Sequence, residues 1–256
     1  MSRDAGSAAL VAVLVAFALS ACDTPAPTAS DPPGTRADGP AGPLAFQVVS
    51  PPFDPAGFVA SITNPYLPQM PGTVHRYRSE TRDGIEINTV RVTRQHKLIL
   101  GVNTTVVHDQ VFLNGELTED TFDWEAQDAA GNVWYFGEDS KELENGQVVS
   151  TEGSWQAGAN GAHAGIIMLA HPETGRTYVQ EDAPDVAEDR AKALSLKAKV
   201  SVPYGSFEGC LETMEWTLIE HGDREHKFYC PGVGLVEEAH PQGGRITNEL
   251  VSITHS

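Results

Sequence analysis

Residues 104–127, TTVVHDQVFLNGELTEDTFDWEAQ, decide the fold. Thr104 to Leu113 is rich in β-branched and aromatic residues, and so is the segment from Glu116 to Gln127. Between them stands Asn114-Gly115, the dipeptide that tolerates positive φ at both central positions of a two-residue hairpin turn. Within the second segment Phe122 and Trp124 fall on one face, Asp123 and Glu125 on the other. That alternation reads as a strand with its apolar face inward and its acidic face toward solvent.

The same pattern extends in both directions. Upstream, Phe53 to Phe58 reads as a short helical turn, with Asp54 as N-cap and Pro55 at the first helical position. After Pro71-Gly72 the period changes to two, and Arg82-Asp83-Gly84 is a hairpin turn. Ile85 to Leu100 continues as strand, broken at Gly101. Downstream, a turn at Asp128–Asn132 precedes the strand Val133-Trp134-Tyr135-Phe136. Asn145-Gly146 marks another turn, and residues 156–165 form a Gly/Ala-rich loop. Strands follow over 196–202, 206–220, 226–231, 235–238 and 246–254. The one exception is residues 184–195, where Val186, Ala187, Ala191 and Leu194 fall near helical spacing. Early acids and later bases there suit a helix dipole. The fold class is mainly β: an antiparallel meander forming a curved sheet, half-barrel or barrel with one short helix over about 184–195.

The 256 residues carry 17 basic and 35 acidic side chains, a net charge of −18. Nucleic-acid binding needs clustered Lys and Arg, so this balance argues against it. It also argues against a body lying flat on anionic lipid.

Residues 1–21 read as an export signal. Arg3 lies in a short positive start, and Ala8 to Leu19 is an apolar run too short to span a hydrocarbon core of about 30 Å. The run ends in Leu19-Ser20-Ala21-Cys22, which resembles the lipobox of bacterial lipoproteins. The resemblance implies that Cys22 is acylated, palmitate being one such chain, and becomes the mature amino terminus. Residues 22–45 are rich in Pro, Ala, Gly, Asp and Thr and read as a disordered tether. Residues 46–256 are then a single β-rich domain outside the cytoplasm, in the periplasm if the host is Gram-negative. The membrane is its partner through the N-terminal lipid.

Cys210 and Cys230 remain. An oxidising compartment favours a disulfide. A hairpin centred on Gly222-Asp223, however, pairs Cys230 with Trp216 and sets the two thiols about 10 Å apart along the strands. A zinc site using Cys210, Cys230 and His226 lacks the usual ligand spacing. No metal and no cofactor is expected.

The chemistry-bearing residues concentrate between Asp120 and Glu138. A carboxylate pair drawn from Asp123, Asp128, Glu138 and Glu152, with His163, is the candidate for acid–base work. Trp124, Trp134, Tyr135 and Trp155 are the candidates for lining a ligand groove. Asp128–Asn132 lacks the alternating oxygen ligands of a calcium loop, and Glu152-Gly153-Ser154 is no nucleophile elbow.

Several segments together resemble a group of exported bacterial proteins of unknown function. They are Asn64–Pro68 with Pro71-Gly72, Asp123-Trp124 through Asp128, Gly131 to Glu138, Glu152 to Trp155, and Pro231 to Gly234. The resemblance implies an antiparallel sheet and brings no catalytic residues. Three functions fit these readings. One is a non-enzymatic, membrane-tethered envelope lipoprotein binding a small or apolar ligand or a partner protein. The second is an envelope glycan- or ester-acting hydrolase using paired carboxylates. The third is a structural lipoprotein of an envelope complex.

Overall fold

The structure, a computed structural model, describes residues 48–49, 51–219, 222, 224–240 and 245–256. Cys22, the export signal and the whole of the tether lie outside the described residues.

Turn chemistry sets the first half of the chain. Leu100-Gly101, Asn114-Gly115 and Asn145-Gly146 each place two successive residues at positive φ (50° and 84°, 52° and 89°, 51° and 72°). This is the two-residue turn whose twist matches the strands it joins. The strands are β1 (Val48–Val49), β2 (Ile62–Asn64), β3 (Leu67–Gln69), β4 (Thr73–Glu80), β5 (Ile85–Ile99), β6 (Val102–Leu113), β7 (Glu116–Gln127), β8 (Val133–Asp139), β9 (Glu142–Glu144) and β10 (Gln147–Ser150). They continue with β11 (Trp155–Gln156), β12 (Gly165–Met168), β13 (Thr177–Val179), β14 (Asp189–Val202), β15 (Gly205–Thr217), β16 (Glu225–Cys230), β17 (Gly234–His240) and β18 (Arg245–His255). The helical turn at Pro55–Gly57 forms as expected, and Asp54 Oδ1 accepts from the Ala56 amide at 3.0 Å.

Two antiparallel meanders make one sheet. β4 to β8 pair in sequence, β13 to β18 pair in sequence, and β18 lies antiparallel beside β4 to join them. The curled sheet does not close into a hydrogen-bonded barrel. Its far ends, β8 with β12 and β13 with β14, meet across a seam. There the His163 amide donates to the Asp182 carbonyl at 2.8 Å in an isolated bridge. Gly165 makes the close approach feasible, because a Cβ there would collide with the Gln180 carbonyl.

The helix expected over 184–195 is absent. Ala183 and Ala187 close a tight turn through reciprocal backbone hydrogen bonds of 2.9 Å, and β14 starts at Asp189. Asp189, Ala191 and Ala193 are buried while Arg190 and Lys192 are half-buried, a period of two. The ladders to β13 and β15 on either side outweigh the helical preference of Ala and Lys.

The hairpin register of β15 and β16 also differs from that expected. Leu211 faces Tyr229 and Glu215 faces Glu225, so the loop is longer than a turn at Gly222-Asp223. This register sets Cys210 opposite Cys230, and the two form a disulfide.

The two faces of the sheet differ. On the outer face Trp134 and Phe136 are covered by Phe53 and Phe58, whose rings meet Trp134 edge-on at 5.8 and 5.7 Å. On the inner face each strand changes character along its length. β15 runs Leu211, Thr213, Glu215, Thr217 and β5 runs Val92, Val90, Asn88, Glu86. The apolar end packs Leu211, Tyr229, Ala193 and Met168 against Ile62 and Tyr66 of the N-terminal segment. The other end is acidic.

Candidate functional site

The acidic end is assembled by register. Thr213 faces Lys227, Lys227 faces Glu238 and Glu238 faces Asn248 across adjacent strands. Ser79 faces Glu86, Asp109 faces Thr121 and Asp123 faces Glu138. A polar row therefore crosses the inner face. Cross-strand partners point to the same side, so the row is a direct consequence of pairing.

Asp123 and Glu125 are 8% and 4% exposed, as buried as Trp124 between them at 7%. The acidic face expected toward solvent is the inner face, and both faces of β7 are covered. A bulge at Gly137, φ 114°, then brings Tyr135 and Glu138 to the same side despite their odd and even numbers.

Tyr135 is the centre of the first cluster. Its hydroxyl oxygen lies 2.6 Å from Asp123 Oδ1 and 2.9 Å from Glu138 Oε2. A phenol has one proton to donate. Both contacts are hydrogen bonds only if one carboxyl is protonated and donates to the phenol oxygen. Glu138 is that carboxyl: burial, then the Asp123 charge, push it well above the carboxylate range. Asp123 is raised less, to about 6, because burial is opposed by the Tyr135 hydrogen bond. Beside them Glu181 donates to Asp189. Burial and the Asp189 charge raise Glu181, whereas this bond opposes the effect of burial on Asp189. These two acids come from the opposite end of the sheet and reach Glu138 only because the sheet curls.

Lys227 is the centre of the second cluster. Its Nζ lies 3.1 Å from Glu215 Oε2 and 3.6 Å from Glu238 Oε1. Thr213 and Tyr229 donate to Glu215 Oε1 at 2.8 and 3.1 Å, and Asn248 donates to Glu238 Oε2 at 3.3 Å. Burial alone would lower the Lys227 ammonium. The Glu215 and Glu238 carboxylates outweigh it and raise it. Between the clusters, burial and neighbouring acids raise Glu119 and Glu86 to about 7 and Glu125 to about 8. Asp109 is pushed far up by burial and by Glu119 and Asp123.

The sequence-derived candidates separate accordingly. Asp123, Tyr135 and Glu138 come together, and Trp155 joins them, opposite Glu138 in the ladder and edge-on to Tyr135 at 5.6 Å. Trp124 and Trp134 lie on the outer face, Trp124 beneath Lys97 Nζ at 3.0 Å. Asp128 holds its own turn, accepting from the Asn132 amide, Asn132 Nδ2 and Trp134 Nε1 at 2.8–2.9 Å. Glu152 is exposed in a turn, and His163 sits at the exposed seam 3.2 Å from Asp182. Sequence reasoning missed Glu86, Asp109, Glu119, Glu181, Asp189, Glu215, Lys227 and Glu238. The available signal was phase: Asp109 of β6 and Glu238 of β17 each share their period with a buried valine, as in Val107-x-Asp109-x-Val111 and Val236-x-Glu238.

No family model matches the chain and no curated protein matches it. A solved structure from Bacteroides fragilis, named as a candidate exported protein with a YmcC-like fold, overlaps 73% of this chain and 98% of its own. The identity is 17% and the TM-score 0.42, too loose an overlap for fold or function to be carried across.

Proposed function

We propose that this chain is an envelope lipoprotein, anchored through acylated Cys22 and a flexible tether, whose curled sheet binds a ligand on its inner face without chemical turnover. The observation that carries the reading is the inner face itself. Glu138, Glu181 and Asp189 each keep a buried carboxyl oxygen with no hydrogen-bond partner, and the Trp155 indole N–H beside them is likewise unpartnered. Buried polar atoms are normally satisfied, so such a group marks a place where another molecule completes the bonding. Of the small or apolar ligand or partner protein expected from sequence, the acid lining favours a small polar ligand. Net charge argues against nucleic acid as that ligand. The test has two arms. Metabolic labelling with palmitate reports the anchor and is abolished by Cys22→Ala. Native mass spectrometry of residues 46–256 purified from the envelope reports a bound adduct; a bare mass after gentle purification defeats the binding reading.

The Tyr135 arrangement favours a second reading, a hydrolase. Asp123 and Glu138 share one hydroxyl partner, so their oxygens lie within about 5.5 Å, the spacing of a retaining glycosidase pair. One acid is held protonated and the other ionises more readily, which are the two roles that chemistry requires. Turnover of an aryl glycoside that disappears in Asp123→Asn and Glu138→Gln would establish this reading over the first.

A further inference from the structure

We propose that the cluster around Glu138 is a site for a primary alkylammonium ion, a small organic amine held as Lys227 is held a few strands away. The proposal deepens the binding reading by naming the ligand class.

The inner face carries its own precedent. An ammonium at the end of a butyl chain already lies buried there, ion-paired to Glu215 and Glu238. On the seam side the same materials recur: Asp123 and Glu138 around Tyr135, and Glu181 hydrogen-bonded to Asp189. Glu138 is 1% exposed, Asp189 6% and Glu181 7%, yet Glu138 Oε1, Glu181 Oε2 and Asp189 Oδ1 have no partner. The bond between Glu181 and Asp189 occupies one oxygen of each, and Glu138 Oε1 is the buried acceptor that lacks a donor and calls for an N–H.

The backbone holds these acceptors together. Glu138 faces Trp155, Tyr135 faces Gly165, and Gly165 lies against the Gln180 carbonyl. The Gln180 and Glu181 amides both donate to the Asp189 carbonyl, at 2.8 and 3.3 Å. The walls are Tyr135, Trp155 and Tyr178 with Ala191, which suit an alkyl chain and a cation over an aromatic face. Among the described residues no three carboxyl, imidazole or thiol groups stand close enough to share one metal ion. Lys227 also lowers Asp189, so the two clusters form one electrostatic unit with one built-in cation. The route inward is the seam, where the isolated His163–Asp182 bridge links the two ends of the sheet.

The experiment is calorimetric titration of residues 46–256 at pH 8 with cadaverine. Controls are 1,5-pentanediol, of equal length and neutral, and tetramethylammonium, a cation without N–H. Saturable binding of cadaverine alone is expected, with a raised melting temperature. Glu138→Gln keeps the side chain's shape but cannot ionise to pair with the ammonium. Its affinity should fall about 10- to 100-fold, the worth of one charged hydrogen bond. Its melting temperature without amine should be unchanged or higher, which shows that the fold is intact. Glu181→Gln should behave in the same way. No saturable binding of cadaverine, or equal binding by wild type and both variants, overturns the proposal. Equal binding of pentanediol overturns the ammonium while leaving a polar-ligand protein. The adduct measurement above fails or succeeds independently of all these arms.

Discussion

A protein with so many raised carboxyls should be stabilised by acid, and Glu119 offers the cleanest measurement. It lies on the inner face, 7% exposed, and Thr121 Oγ1 donates to its Oε1 at 3.0 Å. Burial is the main cause that takes it from 4.5 to about 7, with the Asp123, Glu142 and Glu86 charges adding to it against the Thr121 hydrogen bond. The folded state therefore holds a proton that the unfolded state releases between these two values. The stability this contributes is fully present below pH 4.5 and is lost as pH rises through 7. At about 1.4 kcal/mol per tenfold, the loss from this one group is about 3 kcal/mol. Asp123, Glu125 and Glu86 are raised in the same direction, so the wild-type curve should fall by at least that much between pH 4.5 and 8.

Glu119→Gln isolates the effect. The amide keeps an oxygen to accept from Thr121 and cannot ionise. Urea unfolding followed by tryptophan fluorescence at half-unit steps from pH 4.5 to 8 gives both curves. The variant should be more stable than wild type at pH 8 by up to about 3 kcal/mol and should lose that advantage by pH 4.5. A wild-type stability that is flat or rises from pH 5 to 8 would refute the reasoning. So would a variant curve parallel to wild type, because Glu119 would then titrate alike in both states.

Removing the buried cation should have the opposite consequence. Lys227→Met strands Glu215 and Glu238 and should cost about 3–5 kcal/mol in urea unfolding at pH 8. The cost should shrink at pH 5, where the raised Glu238 can take up a proton instead. Reducing Cys210–Cys230, which closes a loop of 20 residues, should lower stability by about 3 kcal/mol, or about 6–12 °C in a calorimetric scan. Asp128→Ala removes three hydrogen bonds from the turn after β7 and should cost about 2 kcal/mol in the same urea assay. It should leave cadaverine affinity unchanged, because Asp128 stands outside the inner face.

Strand identity was legible because it depends on local chemistry. Asn114-Gly115 and Asn145-Gly146 impose positive φ on two consecutive residues, and period-two alternation identifies what they join. Which face of an alternating strand turns inward is a different kind of fact. Phe122-Asp123-Trp124-Glu125 is equally compatible with either choice, and the outer face here is apolar only because Phe53 and Phe58 return to cover it. Once the sheet curls, the acids have no solvent to face. They form a layer whose members come from seven strands and the loop before β14, and Glu138 meets Glu181 across 43 positions of sequence only because Gly165 lets the two ends touch. The misread helix at 184–195 has the same origin: Ala191 and Lys192 favour helix in isolation and are held in β14 by neighbours on both sides. A meander of this kind therefore discloses its strands locally and its site only through closure. If Gly165→Val, which must push β12 away from the Gln180 carbonyl, abolished cadaverine binding while leaving the Lys227 cluster's contribution to urea stability intact, closure and site would be separated experimentally. Loss of both together would mean that the acid layer folds as one unit with the seam.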